Sequence, residues 1–356
     1  MSQQKNQGGG VKEIARRAKV SIATVDRVIH NRNGVSKSPR KKILKIIEEI
    51  NYRPNIIASR LASRKIYNIA VIIPRVSEET DYWQAPLNGI KRAEKELYEF
   101  GIRVHSYFFD LNSKPSFLQE ASRIQAVAED VDAVLLAPMF HAESVSLLEA
   151  CQKHSWPVVL INSDIPEQAS LGYIGPELRK SGYLAAHLMR YATGDDDQLL
   201  IVNISREMDT HHHLLRKEEG FRAHFSDQKA RNTIHKVDIH QTDYNSVQMQ
   251  LDKVLNENPD IRAVFTTNSR VSTVARYLQS RGKDDLLLIG YDFLTENLEH
   301  LKRGTIDFLI CQKPEEQGYR GIMALYRHLV LAAEVEKTHY MPIDIITREN
   351  YQFYSN

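Results

Sequence analysis

The sequence predicts two parts in series: a small all-α head over residues 11–65 and a larger α/β body over 66–356, with two parallel-sheet subdomains in the body. Three observations lead there. Charge is split: residues 1–65 hold 16 Lys and Arg against 4 Asp and Glu, whereas the rest hold 31 against 41, although the 356-residue chain is only +2 overall. The head shows helical periodicity and no strand pattern. The body alternates apolar runs with amphipathic stretches, the signature of parallel sheets covered on both faces.

Residues 1–10 are polar, end in three glycines and read as a flexible tail. The first helix, VKEIARRAK, carries Val11, Ile14, Ala15 and Ala18 on one face. A break follows at Lys19 and Val20. Ser21 then caps a second helix with Val25, Val28 and Ile29 at core spacing and Ile22, Ala23, Asp26, Arg27 and His30 facing outward. Two short helices joined by a tight turn, the second presenting small and basic residues, describe a helix-turn-helix. A third helix is expected from Ser38 and Pro39, burying Ile43, Ile46, Ile47 and Ile50, and a fourth over IIASRLASR.

In the body the strands are expected at NIAVIIP (68–74), IRVHSYFF (102–109), DAVLLAP (132–138), PVVLIN (157–162), QLLIVNI (198–204), RAVFTT (262–267) and DLLLIGYD (285–292). Helices are expected at 84–100, 116–129, 142–154, 177–193, 214–226, 243–256, 270–282 and 314–334. About 290 residues is large for one such sheet. Two subdomains with a cleft between them follow, one over 66–163 plus 294–322 and the other over 164–293 plus 323–356.

Several classes of function find no support. No apolar run approaches the ~18 residues of a membrane helix, and the first residues lack the apolar segment of a secretory signal. Cys151 and Cys311 make neither a disulfide framework nor a zinc spacing, so a reduced, cytoplasmic protein is expected. No phosphate loop and no nucleophile elbow occurs, so neither a catalytic residue nor a cofactor is expected. His211, His212 and His213 are adjacent, point in different directions and have no Cys or carboxylate at ligand spacing; they read as a polar loop at the rim of the cleft, not a metal site.

The head carries IA-x-x-A-x-VS-x-x-TV-x-RV, then N-x-x-x-VS, then Y-x-PN-x-x-A-x-x-L. Over residues 11–65 this resembles the LacI family of bacterial repressors. The resemblance implies that Ile22, Ala23 and Arg27 face base edges in the major groove, where Arg can hold a guanine in two hydrogen bonds. Ser21, Thr24, Asn31 and Ser36 match phosphate contacts, which set register. Tyr52 and Asn55 match the lead into a hinge helix. Leu61 matches a leucine wedged into a central minor-groove step, and Ala58 the small neighbour that lets two hinge helices approach. Asp26 departs from the family's usual serine: it either orients Arg27, accepts from a cytosine amino group, or points to solvent.

The body is similar to the family's effector domain, of the periplasmic-binding-protein type I fold, at DYW-x-x-x-x-x-G-I-x-x-A (81–93), KEEGF (217–221), PDIRAVFTTN (259–268), LLLIGYD (286–292) and IDFLICQKPEEQGYRG (306–321). These place polar and aromatic residues at the carboxyl ends of strands, where open α/β sheets bind ligands. The resemblance implies that Tyr82 and Trp83 stack on a sugar ring and that Asn268, Asp292 and Gln312 bond its hydroxyls. Lys217 holds the place of a usual arginine with Arg216 beside it, and either is a candidate contact. Phe140 stands where sugar-binding relatives often have an aspartate, which argues against a simple free pentose or hexose. The expectation is a homodimeric regulator, a repressor by family, that binds pseudo-palindromic double-stranded operator DNA and answers a sugar-like effector. The alternative is a sugar-binding sensor with no DNA role; the basic head argues against it.

Overall fold

The structure, a computed structural model, describes residues 10–29, 33–50, 52, 65–77, 80–206 and 212–356. The chain divides into two compact units, Met1–Arg64 and Lys65–Asn356.

The first unit holds three described helices: α1 (Val11–Ala18), α2 (Ile22–Ile29) and α3 (Lys37–Glu49). Helix α1 stops because Lys19 turns left-handed, with φ 58°, and its N–H closes onto Ala15 and Arg16 carbonyls. Ser21 Oγ then accepts from Thr24 N–H at 3.2 Å, the cap expected of it. Helix α3 starts two residues earlier than its proline suggests. Ser36 is the extended residue ahead of it, and Pro39 sits inside the first turn, where a missing N–H has no intrahelical partner to lose. Ile14, Ala15, Ala18, Val25, Val28, Ile43 and Ile46 form the core, with Ile29, Ile47, Ile50 and Tyr52 packed against it.

The second unit holds two six-stranded sheets. The first receives β1 (Tyr67–Pro74), β2 (Ile102–Phe109), β3 (Ala133–Leu136), β4 (Val158–Ile161) and β5 (Gly172–Gly175), with α4 (Gln84–Leu97), α5 (Lys114–Ala126) and α6 (His141–Lys153) between them. The second receives β6 (Gln198–Ile204), β7 (Ile234–Ile239), β8 (Ile261–Thr266), β9 (Leu287–Tyr291) and β10 (Phe308–Cys311), with α7 (Leu178–Ala192), α8 (His212–Asp227), α9 (Tyr244–Glu257), α10 (Val271–Ser280) and α11 (Thr295–Arg303). The chain then returns through α12 (Pro314–Leu329) and β11 (Thr338–Tyr340) to the first sheet, and ends with β12 (Asp344–Ile346) in the second. The orders are β11-β5-β4-β3-β1-β2 and β12-β10-β9-β8-β6-β7. All pairings are parallel except β10 with β12. The α/β architecture with two parallel sheets is therefore as the alternating pattern predicts.

The subdomain boundaries differ from the expected ones. Strand pairing gives the first subdomain residues 67–175 and 314–340, and the second 178–311 and 344–346. β5, with sequence GYIG, pairs with β4 and keeps the chain in the first sheet past residue 163. β10 pairs with β9 through Phe308 and Ile289, which keeps 294–311 in the second. Helix α12 packs on α4, not on the second sheet: Gly318 lies so close to the Pro86 carbonyl that a Cβ would approach it to 2.2 Å. The chain thus crosses between subdomains at 176–177, 312–313 and 341–343.

Candidate functional site

The carboxyl ends of strands from both sheets face one cleft, with about 650 Å³ of space including its mouth. From the first subdomain it is lined by Thr80, Tyr82, Trp83, Leu111, Asn112, Met139 and Asn162, and from the second by Ile204, Ser205, His213, Lys217, Asn268, Ser269, Arg270 and Asp292; Gln312 comes from the second crossing. Its lining, an aromatic pair beside several hydrogen-bonding side chains, suits one small polar ligand.

Tyr82 and Trp83 immediately precede α4 and meet edge to face with centroids 5.2 Å apart. Tyr82 Oη donates to Asn162 Oδ1 at 3.0 Å, so one edge of the ring is tied and the pair is held rigid. Asn162 and Asp292 are counterparts, each following the last residue of its strand, β4 or β9, and each left-handed, at φ 69° and 74°. Asn and Asp tolerate this conformation better than most residues, and it turns their side chains back over the sheet end. Gln312 Nε2 donates to Asp292 Oδ1 at 3.3 Å. The Gln312 carbonyl accepts from Gln317 Nε2 at 2.8 Å, and Gln317 Oε1 accepts from Asn162 N–H at 2.9 Å. A continuous chain of hydrogen bonds thus joins Asp292, Gln312, Gln317, Asn162 and Tyr82 across the crossing. Gln312 Oε1, in a residue only 2 % exposed, has no partner and lines the cleft. It is an acceptor available to a ligand hydroxyl.

Lys217 is a buried cation of the cleft, which the half-buried Arg270 also lines. Its Nζ donates to the Thr267 carbonyl at 3.1 Å and lies 3.6 Å from the Tyr291 ring centroid. Its backbone is seated by Gly182 of α7, where a Cβ would come within 1.8 Å of the Lys217 carbonyl oxygen. Burial pulls the Lys217 ammonium down to about 8, partly resisted by the Asp292 charge. Burial likewise pushes the Asp292 carboxyl up to about 6, with Lys217 and the Gln312 amide opposing. Arg216, the other candidate, points elsewhere and pairs with Asp164 beyond β4, so it bridges the two subdomains at the rim. Asn268 lines the cleft but is already engaged: its Nδ2 donates to the Ile204 carbonyl at 2.7 Å and its Oδ1 accepts from Arg270 N–H at 3.2 Å.

Phe140 corrects an expectation. It is fully buried in an aromatic cluster with Phe109 and Phe117, at centroid distances of 5.9 and 6.0 Å, and does not line the cleft. Its neighbour Met139 does. Of the three histidines, His213 lines the cleft, His212 packs against His141 with the rings tilted and their centroids 4.3 Å apart, and His211 lies outside the described residues. No group of three or more His, Cys, Asp or Glu side chains able to hold a metal occurs among the described residues. Sequence reasoning missed Asn162 and Gln317; the closing Asn of PVVLIN was the available signal for the first.

In the first unit Ile22, Ala23 and Arg27 form an exposed face on α2, with Ile22 49 % exposed. Ser21 and Ser36 are also exposed and Thr24 is half-buried. Asp26 is half-buried, not turned fully to solvent. Asn31, Asn55, Ala58 and Leu61 lie outside the described residues.

A two-sheet body with three crossovers and a ligand-sized cleft defines a periplasmic-binding-protein domain, and the family profile described as a periplasmic binding protein domain matches residues 69–332. The profile described as bacterial regulatory proteins, lacI family, matches residues 10–55. The chain belongs to the LacI family. A solved structure of a putative LacI transcriptional regulator from Bacteroides fragilis is 32 % identical, with a TM-score of 0.76, and the match covers 82 % of this chain and 100 % of that one. The ribose operon repressor of Halalkalibacterium halodurans is 25 % identical over 293 residues, 79 % of this chain and 80 % of that one. The HTH-type transcriptional regulator RegA of Clostridium acetobutylicum is 28 % identical over 109 residues, 31 % of this chain; the match spans only 32 % of RegA's length. Among the described residues no helix is long and apolar enough to cross a membrane.

Proposed function

We propose that the protein is a cytoplasmic, homodimeric, ligand-responsive transcriptional regulator. The head binds double-stranded DNA through α2, and a sugar-like effector sits in the cleft. The observation that carries the DNA half is the capped α2 presenting Ile22, Ala23 and Arg27 to solvent above a packed three-helix core. The observation that supports a polyol effector is the aromatic pair lining the same cleft as the half-buried Asn162 and the buried Lys217, Asp292 and Gln312. Rings offer an apolar face to Trp83 and hydroxyls to the rest.

The two functions are coupled if the ligand prefers one arrangement of the subdomains, because only differential affinity moves an equilibrium. The Arg216–Asp164 pair and the Gln312–Gln317 link join the two sides and so are the contacts through which that preference acts. Selection from random duplex DNA with the full-length chain tests the proposal. An inverted repeat should emerge, and Arg27→Ala should relax one position of each half-site by about 1–3 kcal/mol, roughly ten- to a hundredfold. Recovery of no enriched sequence refutes the DNA assignment and favours a sensor that acts through another partner.

A further inference from the structure

Beside the cleft lies a second open space, about 870 Å³ including its mouth, which shares the wall formed by Thr80, Ser269 and Arg270 with the first. It too is walled by both subdomains, with Asp81 from one side and Ser272, Thr273, Thr295 and Glu296 from the other. We propose that this groove is a second sugar subsite and that the effector is a disaccharide or longer glycan whose one ring occupies the inner cleft and whose next ring lies in the groove. The proposal rests on the sugar reading of the inner cleft and extends it.

The groove is built on a fixed floor. Asn297, fully buried, donates through Nδ2 to the carbonyls of Ser269, Tyr291 and Asp292 at 2.9–3.1 Å and accepts from Ser272 N–H at 3.1 Å. One amide therefore binds together the end of β9, the start of α10 and the wall shared with the inner site. Its lining combines Ser and Thr hydroxyls with the carboxylates of Asp81 and Glu296, the Arg270 guanidinium and the Leu294 side chain. Ser272 Oγ already donates to Glu296 Oε2 at 3.3 Å. Vicinal hydroxyls of a pyranose fit such a lining, because a carboxylate accepts two of them at once and Ser and Thr both donate and accept. Asp81 and Glu296 lie on the outer walls and Arg270 on the wall shared with the inner cleft, so two carboxylates face one guanidinium and a neutral ring suits the lining better than an anion. Phe140 gives no counter-argument, since it sits in the core.

Calorimetric titration of the full-length chain tests this with D-glucose, D-galactose and D-xylose, the disaccharides maltose, cellobiose, lactose and xylobiose, and glucose 6-phosphate. At least one disaccharide should bind ten times more tightly than its constituent monosaccharide. Thr295→Trp, at an exposed position, fills the groove; it should abolish that advantage and leave the monosaccharide within twofold. Asp81→Ala should weaken the same disaccharide severalfold. A monosaccharide that binds as tightly as every disaccharide containing it overturns the second subsite, as does a Thr295→Trp protein with unchanged disaccharide affinity or a preference for the phosphorylated sugar. Absence of binding by every probe overturns the sugar reading of the inner cleft itself, and the subsite with it.

Discussion

Asp292→Asn should stabilise this protein at neutral pH while weakening its ligand binding. The wild-type carboxyl is 7 % exposed, and burial raises its pKa from the ordinary 3.8 to about 6. A raised acid pKa means that the folded state holds its proton more tightly than the unfolded one. The associated stability is present in full below the unfolded value, near 4, and is lost as pH rises through about 6. That rise corresponds to about 3 kcal/mol lost by pH 7, at about 1.4 kcal/mol for each tenfold change in proton affinity. Asparagine has the shape of the protonated acid and keeps an oxygen for the Gln312 amide, but it never ionises. The variant should therefore match wild type near pH 4 and exceed it at pH 7.5 by at most about 3 kcal/mol, up to about 5–10 °C in melting temperature. Without the carboxylate, Lys217 loses the charge that holds its ammonium up, so its pKa falls further below the unfolded value; that costs stability and offsets part of the gain. Thermal melts of both proteins from pH 4 to 8 decide the matter. An Asn variant no more stable than wild type at pH 7.5, or a gap of equal size at pH 4, overturns this account of the buried pair.

Two further outcomes are expected. His224 is buried with neither ring nitrogen partnered, and burial lowers its pKa below 6.5. A depressed histidine leaves stability intact above 6.5 and removes it as pH falls below, so His224→Leu should flatten the acid limb of a melting-temperature profile between pH 7 and 5. Phe140→Ala empties the centre of the Phe109–Phe117 cluster and should cost about 3–5 kcal/mol, whereas Phe140→Leu should lose less and retain ligand affinity; denaturant titration and calorimetry separate the two readouts.

Much of the fold was legible in the residues because buried parallel strands are nearly continuous apolar runs, and NIAVIIP or QLLIVNI admits little else. What escaped was short or at an edge. β5 is four residues bracketed by glycine, and β7, IHKVDI, is largely half-buried as an edge strand must be. Missing β5 misplaced the first crossing, and reading 294–322 as one stretch hid α11 and β10 behind a single boundary. The site was legible where a polar residue ends a strand, as with Asp292. It was not legible where function depends on which way adjacent side chains turn: Met139 faces the cleft while Phe140 turns into the core, and Lys217 turns in while Arg216 turns out. Gln317 acts from a helix, through a backbone amide, and no local pattern marks that.

The three crossings also order the birth of the protein. Neither sheet has all its strands until residues 338–346 have been made, since β11 edges one and β12 edges the other, and α12 covers the first sheet only after β10 has joined the second. The three-helix head, by contrast, completes its core by Tyr52. During synthesis, at roughly 5–20 residues per second, a nascent chain therefore carries a finished head for some fifteen seconds or longer before either sheet of the body has its last strand. For that interval a finished head is tethered to a body whose cleft still lacks its last crossing.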